Sequence, residues 1–358
     1  MQVVYDARGI QTGHATRGIG RVVRELIEAL ARIERRDLVV GADSVPPPPL
    51  RHRRARARVF GGILTPGAFS RRELVVRLSP VAPSSIDAHS VVCCYDLIPL
   101  KAPGDHFPLH RIVRYPAPWL AYHHSLETIR QAGRVWTISE AVARDVVSML
   151  GVPSSRVRPV PLAPSSALRR PISDAAVTAA RARHGLEGDY LLWLLGGTNE
   201  NKNIPGMLAA TRSRDLPPLV IAGALVEWVR DKVLSVAKRC GAPEPRFLGY
   251  VPDDDLACLL YGAAAVVVPS VDEGYGLPVA EAITCGSRVA ASDIPVLREV
   301  GGDEATYGDA RDPSRFRDAI ITAMGSPRPP ARRRRTWDDV AREVSDLAHG
   351  LKDELEGE

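Results

Sequence analysis

The residues best placed to do chemistry are two glutamates, Glu273 and Glu281, at either end of EGYGLPVAEA directly behind the apolar run AAAVVVPS. Gly274, Gly276 and Pro278 lie between them. Gly276 lets the backbone approach a ligand closely, and Pro278 suits the first position of a helix, where its missing N–H costs nothing. A buried strand, a glycine loop and a helix N-terminus together form an anion site, because free amides and the helix dipole both favour phosphate. Carboxylates repel phosphate, so the two glutamates are matched to neutral hydroxyls of the same ligand. The implied ligand is a nucleotide sugar.

A second chemical segment is GGTNENKN, residues 196–203, behind the apolar run YLLWLL. Ligands of parallel sheets bind beyond the carboxyl ends of strands, which is where this loop falls. Lys202 is one of only five lysines, and its compact charge suits a diphosphate whose charge grows as a glycosidic bond breaks.

The pattern P-S-x-x-E-G-Y-G-L-P-x-x-E-A resembles the E-x7-E signature of retaining family-four glycosyltransferases (glycosyl transferases group 1), which have the GT-B fold. GGTNENKN is similar to the family's G-G-x-x-x-R-K-N segment, with Asn201 where an arginine is usual. TRGIGR (Thr16 to Arg21) resembles the family's glycine loop, where amides near Gly18 and Gly20 approach the donor phosphate or the acceptor. YDLIPL resembles H-D-L-I-P-L, with Tyr95 replacing the histidine and Asp96 kept as a carboxylate of the site. RFLGYV, which contains Phe247 and Tyr250, is similar to the strand and turn beside the nucleotide base. The resemblance implies Glu273, Lys202 and Asp96 as catalytic residues. It implies donor contacts from Gly18, Gly20, Gly197, Asn201, Lys202, Tyr275, Gly276, Leu277, Glu281, Phe247 and Tyr250, with no metal and no cofactor.

Other constellations point away from alternative chemistries. Asp253, Asp254 and Asp255 contain an Asp-x-Asp spacing, but they follow Pro252 and lead into LACLLYGA, as acids of a first helical turn do. His123 and His124 have no further ligands at metal-site spacing and read as structural. Cys93, Cys94, Cys240, Cys258 and Cys285 are an odd set, expected as reduced and mostly buried thiols of a cytoplasmic protein. A G-x-G-x-x-G dinucleotide fingerprint is missing behind the first strand.

The elements that must position these residues alternate along 358 residues, a length that implies two domains. VVY, LVVGA, VVCCYDLIPL and VWTIS read as strands of a first domain, with helices at Gly18 to Ile33 and from Ser139 to Leu150. YLLWLLGG, LVIAG, RFLGY, AAAVVVPS and SRVAAS read as strands of a second. Strand and helix in alternation imply parallel sheets covered on both faces. PVPLAPSSALRRPISD is the linker candidate. The expected domains are 1–168, 169–335 and a tail of 336–358, where Trp337, Val340, Val344, Leu347 and Leu351 form one helical stripe. The resemblance sends that last helix back to the N-terminal domain, and makes both domains doubly wound, Rossmann-like and facing a central cleft.

The net charge of +5 is dominated by arginine, concentrated at Arg51 to Arg58 and Arg332 to Arg335. The first run, behind the irregular stretch SVPPPPL, suits an anionic membrane surface, and the second reads as composition. No aromatic residues interleave with these arginines, which argues against nucleic acid. MQVVYDARG lacks a basic start followed by a long apolar stretch, so no secretory signal is expected. The expected site of action is the cytoplasm, with peripheral contact at the inner face of the membrane.

The expected activity is retaining transfer of a hexose from a nucleotide diphosphate sugar to a saccharide or lipid-linked acceptor in polysaccharide or glycoconjugate synthesis. EGYGLP, GYVPDDDL and ASDIPVLREV most resemble the mannosyltransferase branch and so point to GDP-mannose. UDP-sugars, dTDP-rhamnose and a non-catalytic sugar-nucleotide-binding subunit are the alternatives.

Overall fold

The computed structural model describes residues 1–6, 18–33, 38–42, 55–59, 73–78, 89–169, 171–196, 200–213, 215–329 and 334–357, with backbone alone at 38–42 and 55–59. The chain divides into two compact units, Met1–Leu162 with Arg335–Glu358, and Ala163–Arg334. Each is an α/β unit built on one parallel sheet.

The first unit holds β1 (Gln2–Asp6), β2 (Leu38–Ala42), β3 (Ala55–Val59), β4 (Glu73–Arg77), β5 (Ser90–Cys94), β6 (Arg134–Thr137) and β7 (Val157–Pro159), in the order β3-β2-β1-β4-β5-β6-β7. The stretch expected to be irregular behind SVPPPPL is corrected at β3. The alternation ARARV masked a strand as a charge run, because an edge strand needs no continuous apolar sequence. It is held by backbone pairing to β2, from Leu38 opposite Ala55 to Ala42 opposite Val59.

Helix Gly18–Ile33 buries Val22, Val23, Leu26, Ile27 and Leu30. Its other partner is the C-terminal helix Trp337–Gly357, which buries Trp337, Val340, Ala341, Val344, Ala348 and Leu351. The tail stripe thus covers the first unit, with small alanines at the seam and Leu347 at its margin. Thr336 and Asp339 start this helix reciprocally: Asp339 N donates to Thr336 Oγ1 at 3.1 Å and Thr336 N donates to Asp339 Oδ2 at 2.8 Å. Helix Glu140–Leu150 begins at Ser139, whose Oγ accepts from Val142 N, and ends at Gly151 with φ +69°.

The second unit holds β8 (Leu191–Leu194), β9 (Leu219–Ala222), β10 (Arg246–Gly249), β11 (Ala265–Val268), β12 (Val289–Ser292) and β13 (Thr306–Gly308), in the order β10-β9-β8-β11-β12-β13. β9, β11 and β12 are buried throughout, which is why they read as unbroken apolar runs. Their core includes Trp193, Met207, Ile221, Val267 and Phe316. Phe316 comes from helix Pro313–Gly325, whose N-cap Asp312 accepts from Ser314 N at 2.9 Å.

Candidate functional site

Strand order puts β8 next to β11 although two strands lie between them in sequence. The loops behind these two strands leave the sheet in opposite directions, and that crevice is where open parallel sheets bind ligands. The loop behind β8 carries Asn201 and Lys202. The loop behind β11 carries Glu273, Tyr275 and Gly276.

The two loops are stitched together by this chain's own side chains. Lys202 Nζ donates to Glu273 Oε1 at 2.6 Å, with both groups partly buried. Asn201 is buried; its Nδ2 donates to the Asp272 carbonyl at 2.9 Å, and its own carbonyl accepts from Val271 N at 2.8 Å. Asn203 takes φ +52°, a conformation that suits asparagine better than most residues. From there its Nδ2 reaches the carbonyls of Ala310 at 2.7 Å and Pro269 at 3.2 Å, while its Oδ1 caps Gly206 N. Asn201 and Asn203 therefore brace the loops, and Lys202 between them directs its ammonium to Glu273. The family pattern resembled at 196–203 includes Asn203 but gave no sign of the bracing by either asparagine.

Gly276 stands at φ +98° and N-caps helix Leu277–Thr284. A Cβ there would lie 2.5 Å from Leu297 Cδ2, so close packing and backbone twist both call for glycine. The helix begins at Leu277, one residue before the proline expected to open it, because proline is equally at home one position further in. Glu281 sits one turn inside this helix, buried. Tyr275 and Leu277 flank Gly276 and are half-buried.

Phe247 and Tyr250 lie on and just behind β10, at the sheet edge two strands from β8. The Phe247 ring packs against the core under the Arg230 guanidinium, 5.0 Å from its centroid. Tyr250 is exposed. Gly197 lies outside the described residues.

In the first unit, Gly18 and Gly20 are in the opening turn of helix Gly18–Ile33, Gly18 exposed and Gly20 buried. Asp96 follows β5, and its Oδ1 accepts from Ile98 N at 3.0 Å, starting the short helix Ile98–Lys101. Tyr95 is buried, and its hydroxyl donates to the Leu78 carbonyl at 2.7 Å. Burial pushes the Tyr95 hydroxyl well above its ordinary pKa, so this residue holds the ends of β4 and β5 together and moves no proton. Beside it, Asp6 and Arg77 form a buried ion pair at 3.6 Å where β1 meets β4.

The acids at 253–255 open helix Asp253–Gly262, as a first turn should. Asp255 is paired with Arg183 at 2.5 Å and His184 at 2.9 Å, and the Arg183 guanidinium holds its carboxyl below the usual range. Cys93, Cys94, Cys258 and Cys285 are buried, all five cysteines are free, and burial raises the Cys93 and Cys94 thiols well above normal.

Residues 177–343, nearly all in the second unit, match the model of glycosyl transferases group 1. Over those residues the chain is similar to that family.

The O-antigen chain mannosyltransferase B of Escherichia coli is a similar protein, 31% identical over 242 residues, covering 66% of this chain and 61% of that relative. The serotype-specific mannosyltransferase WbdA of Escherichia coli is 27% identical over 248 residues, covering 65% of this chain and 29% of WbdA. The chain thus spans less than two thirds of these relatives' length. Its fold is GT-B: sucrose-phosphate synthase of Thermosynechococcus elongatus superposes with a TM-score of 0.65 at 16% identity, covering 98% of this chain and 95% of that one. Among the described residues, no helix is long and apolar enough to cross a membrane.

Proposed function

We propose that this chain is a group 1 glycosyltransferase, a retaining hexosyltransferase that moves mannose from GDP-mannose to a saccharide or lipid-linked acceptor during polysaccharide synthesis. The observation that carries the proposal is the 2.6 Å contact between Lys202 Nζ and Glu273 Oε1 at the β8–β11 crevice. A cation and a carboxylate at one point match the two halves of a nucleotide sugar, an anionic diphosphate and a neutral hexose.

In this proposal Lys202 and the amides of Tyr275 to Leu277 bind the diphosphate. As the glycosidic bond breaks, negative charge collects on the leaving phosphate, and fixed donors already aimed there stabilise it. Glu273 orients the hexose hydroxyls and Glu281 the ribose. Phe247 and Tyr250 are assigned to the base, and Asp96, Gly18 and Gly20 keep the roles that the resemblance implies. Retention at the anomeric carbon rests on the E-x7-E resemblance, and the mannose donor on the kinship with the two mannosyltransferases. Since Lys202 and helix amides supply the positive charge, the reaction needs no divalent metal.

The test is nucleotide release and product analysis with GDP-mannose, UDP-sugars and dTDP-rhamnose, in EDTA and with magnesium. Release from GDP-mannose with an α-linked product, unaffected by EDTA, is the expected result. Turnover of UDP-sugars alone would overturn the donor, an inverted product the stereochemistry, and activity restored by magnesium the metal independence.

A further inference from the structure

Behind β5 the first unit sends out three short helices, Pro103–His106, Leu109–Arg114 and the start of Ala117–Gln131. Their inner side is well anchored. The Phe107 ring lies 5.3 Å from that of Tyr122, and Tyr122 and Leu100 pack against the buried cluster of Val92, Leu97, Leu126 and Ile129. Their outer side is different: no residue from Leu109 to Ala121 is buried.

What this outer side presents is apolar. Leu109 is 76% exposed, Val113 77%, Tyr115 61% and Leu120 54%. Nine large hydrophobic residues are exposed among the described residues, and these four fall within one stretch, 109–120. Leu109 and Val113 are four apart on one helix and share a face. Trp119 is half-buried with its ring 4.3 Å from that of His123. Isolated exposed apolar side chains are ordinary, but a contiguous group of them marks a surface that something covers.

Charge selects what covers it. From His106 to Leu126 the sequence contains no Asp or Glu, while Arg111 and Arg114 are exposed among the apolar residues. Arg114 lies over the Tyr115 ring at 5.6 Å, so its stem runs along apolar surface with its charge at the rim. Leucine and valine with tryptophan, tyrosine and arginine, and without acids, match the layering of a bilayer interface. Apolar groups reach the acyl boundary, aromatic rings sit at headgroup depth and arginines meet anionic headgroups.

We propose that the surface formed by Leu109, Val113, Tyr115 and Leu120, with Arg111 and Arg114 at its rim, docks on an anionic lipid bilayer. Pro108 and Pro116 stand at the N-caps of successive helices and break the excursion into short pieces. Membrane contact is thereby assigned to residues 109–120; the side chains of the arginine run at 51–58 lie outside the described residues. This docking is independent of the donor and of the reaction.

The experiment is co-sedimentation of the full chain with vesicles of phosphatidylcholine alone or mixed with phosphatidylglycerol. Binding is expected on the mixed vesicles, weakening as salt rises because exposed charges are screened. Leu109→Glu with Val113→Glu and Leu120→Glu should weaken it by about tenfold or more. Arg111→Gln with Arg114→Gln should weaken it and flatten its salt dependence. Thermal unfolding of both variants should match that of the native chain, since none of the altered side chains is buried, which separates lost docking from lost folding. Equal sedimentation with neutral and mixed vesicles, or undiminished binding by the glutamate variant, would overturn the proposal. So would a dimer, seen by sedimentation velocity without lipid and abolished by the glutamate substitutions, because the surface would then belong to a second copy of this chain.

Discussion

Lys202 and Glu273 are 71 residues apart in sequence, yet Lys202 Nζ donates to Glu273 Oε1 at 2.6 Å. Each belongs to a segment recognisable by itself, and the contact joins them at the β8–β11 crevice. A partly exposed ion pair of this kind adds little to stability, roughly 0–1 kcal/mol. Lys202→Ala should therefore leave the thermal unfolding midpoint nearly unchanged while transfer falls by about a hundredfold or more, as when one donor to a developing anion is removed. Single-turnover kinetics with a melting curve of the same sample checks both halves. A variant that unfolds early would show the lysine to be a strut.

Glu273 and Glu281 should fail differently. Glu273 faces the crevice beside Lys202, whereas Glu281 is buried one turn inside helix Leu277–Thr284. Glu273→Gln is expected to cut transfer with little change in affinity for free GDP. Glu281→Ala is expected to weaken GDP binding by roughly 1–3 kcal/mol, the usual loss for a hydrogen bond to a charged group. Calorimetric titration of both variants separates these roles, and equal losses would refute the division of labour.

Gly276→Ala should be costly for a reason that local sequence shows only in part. At φ +98° any side chain is strained by about 1–2 kcal/mol, and the new Cβ meets Leu297 Cδ2. Denaturant unfolding should show that loss, with weaker nucleotide binding as the helix N-terminus shifts. Adding Leu297→Ala discriminates the two causes: rescue would place the cost in the clash, and no rescue in the backbone.

Acid should weaken the cap that starts the C-terminal helix. Hydrogen bonds from the Thr336 hydroxyl and amide, and then the Arg342 guanidinium, hold the Asp339 carboxyl well below the usual carboxylate range. A lowered folded-state pKa contributes stability that is complete above the unfolded value, near 4, and lost as pH falls through the folded value. Asp339→Asn should reduce stability at neutral pH by about 1 kcal/mol, the scale of a helix cap, and narrow the gap to the native chain as pH drops below about 4. A gap that stays constant into strong acid would mean that the carboxylate is not what holds the cap.

Much of this protein was legible in the sequence because the relevant physics is local. Central strands such as β9 and β11 are buried on both faces and must be apolar throughout, so they announce themselves. The cap at Ser139 and the glycine-to-helix step at Gly276 depend on neighbours within a few residues. Not every strand was legible: β3 and the three-residue β7 and β13, all at sheet edges, are held by backbone pairing to one neighbour, which places little demand on side chains. The central β4 was also passed over. Long-range partners were equally hidden. Asn201 offered itself as a donor ligand but is turned onto the Asp272 carbonyl. Asn203 reaches a carbonyl 107 residues away, and Tyr95 is spent on Leu78. A side chain's type states what it is able to bond, and only packing chooses which partner comes within 3 Å.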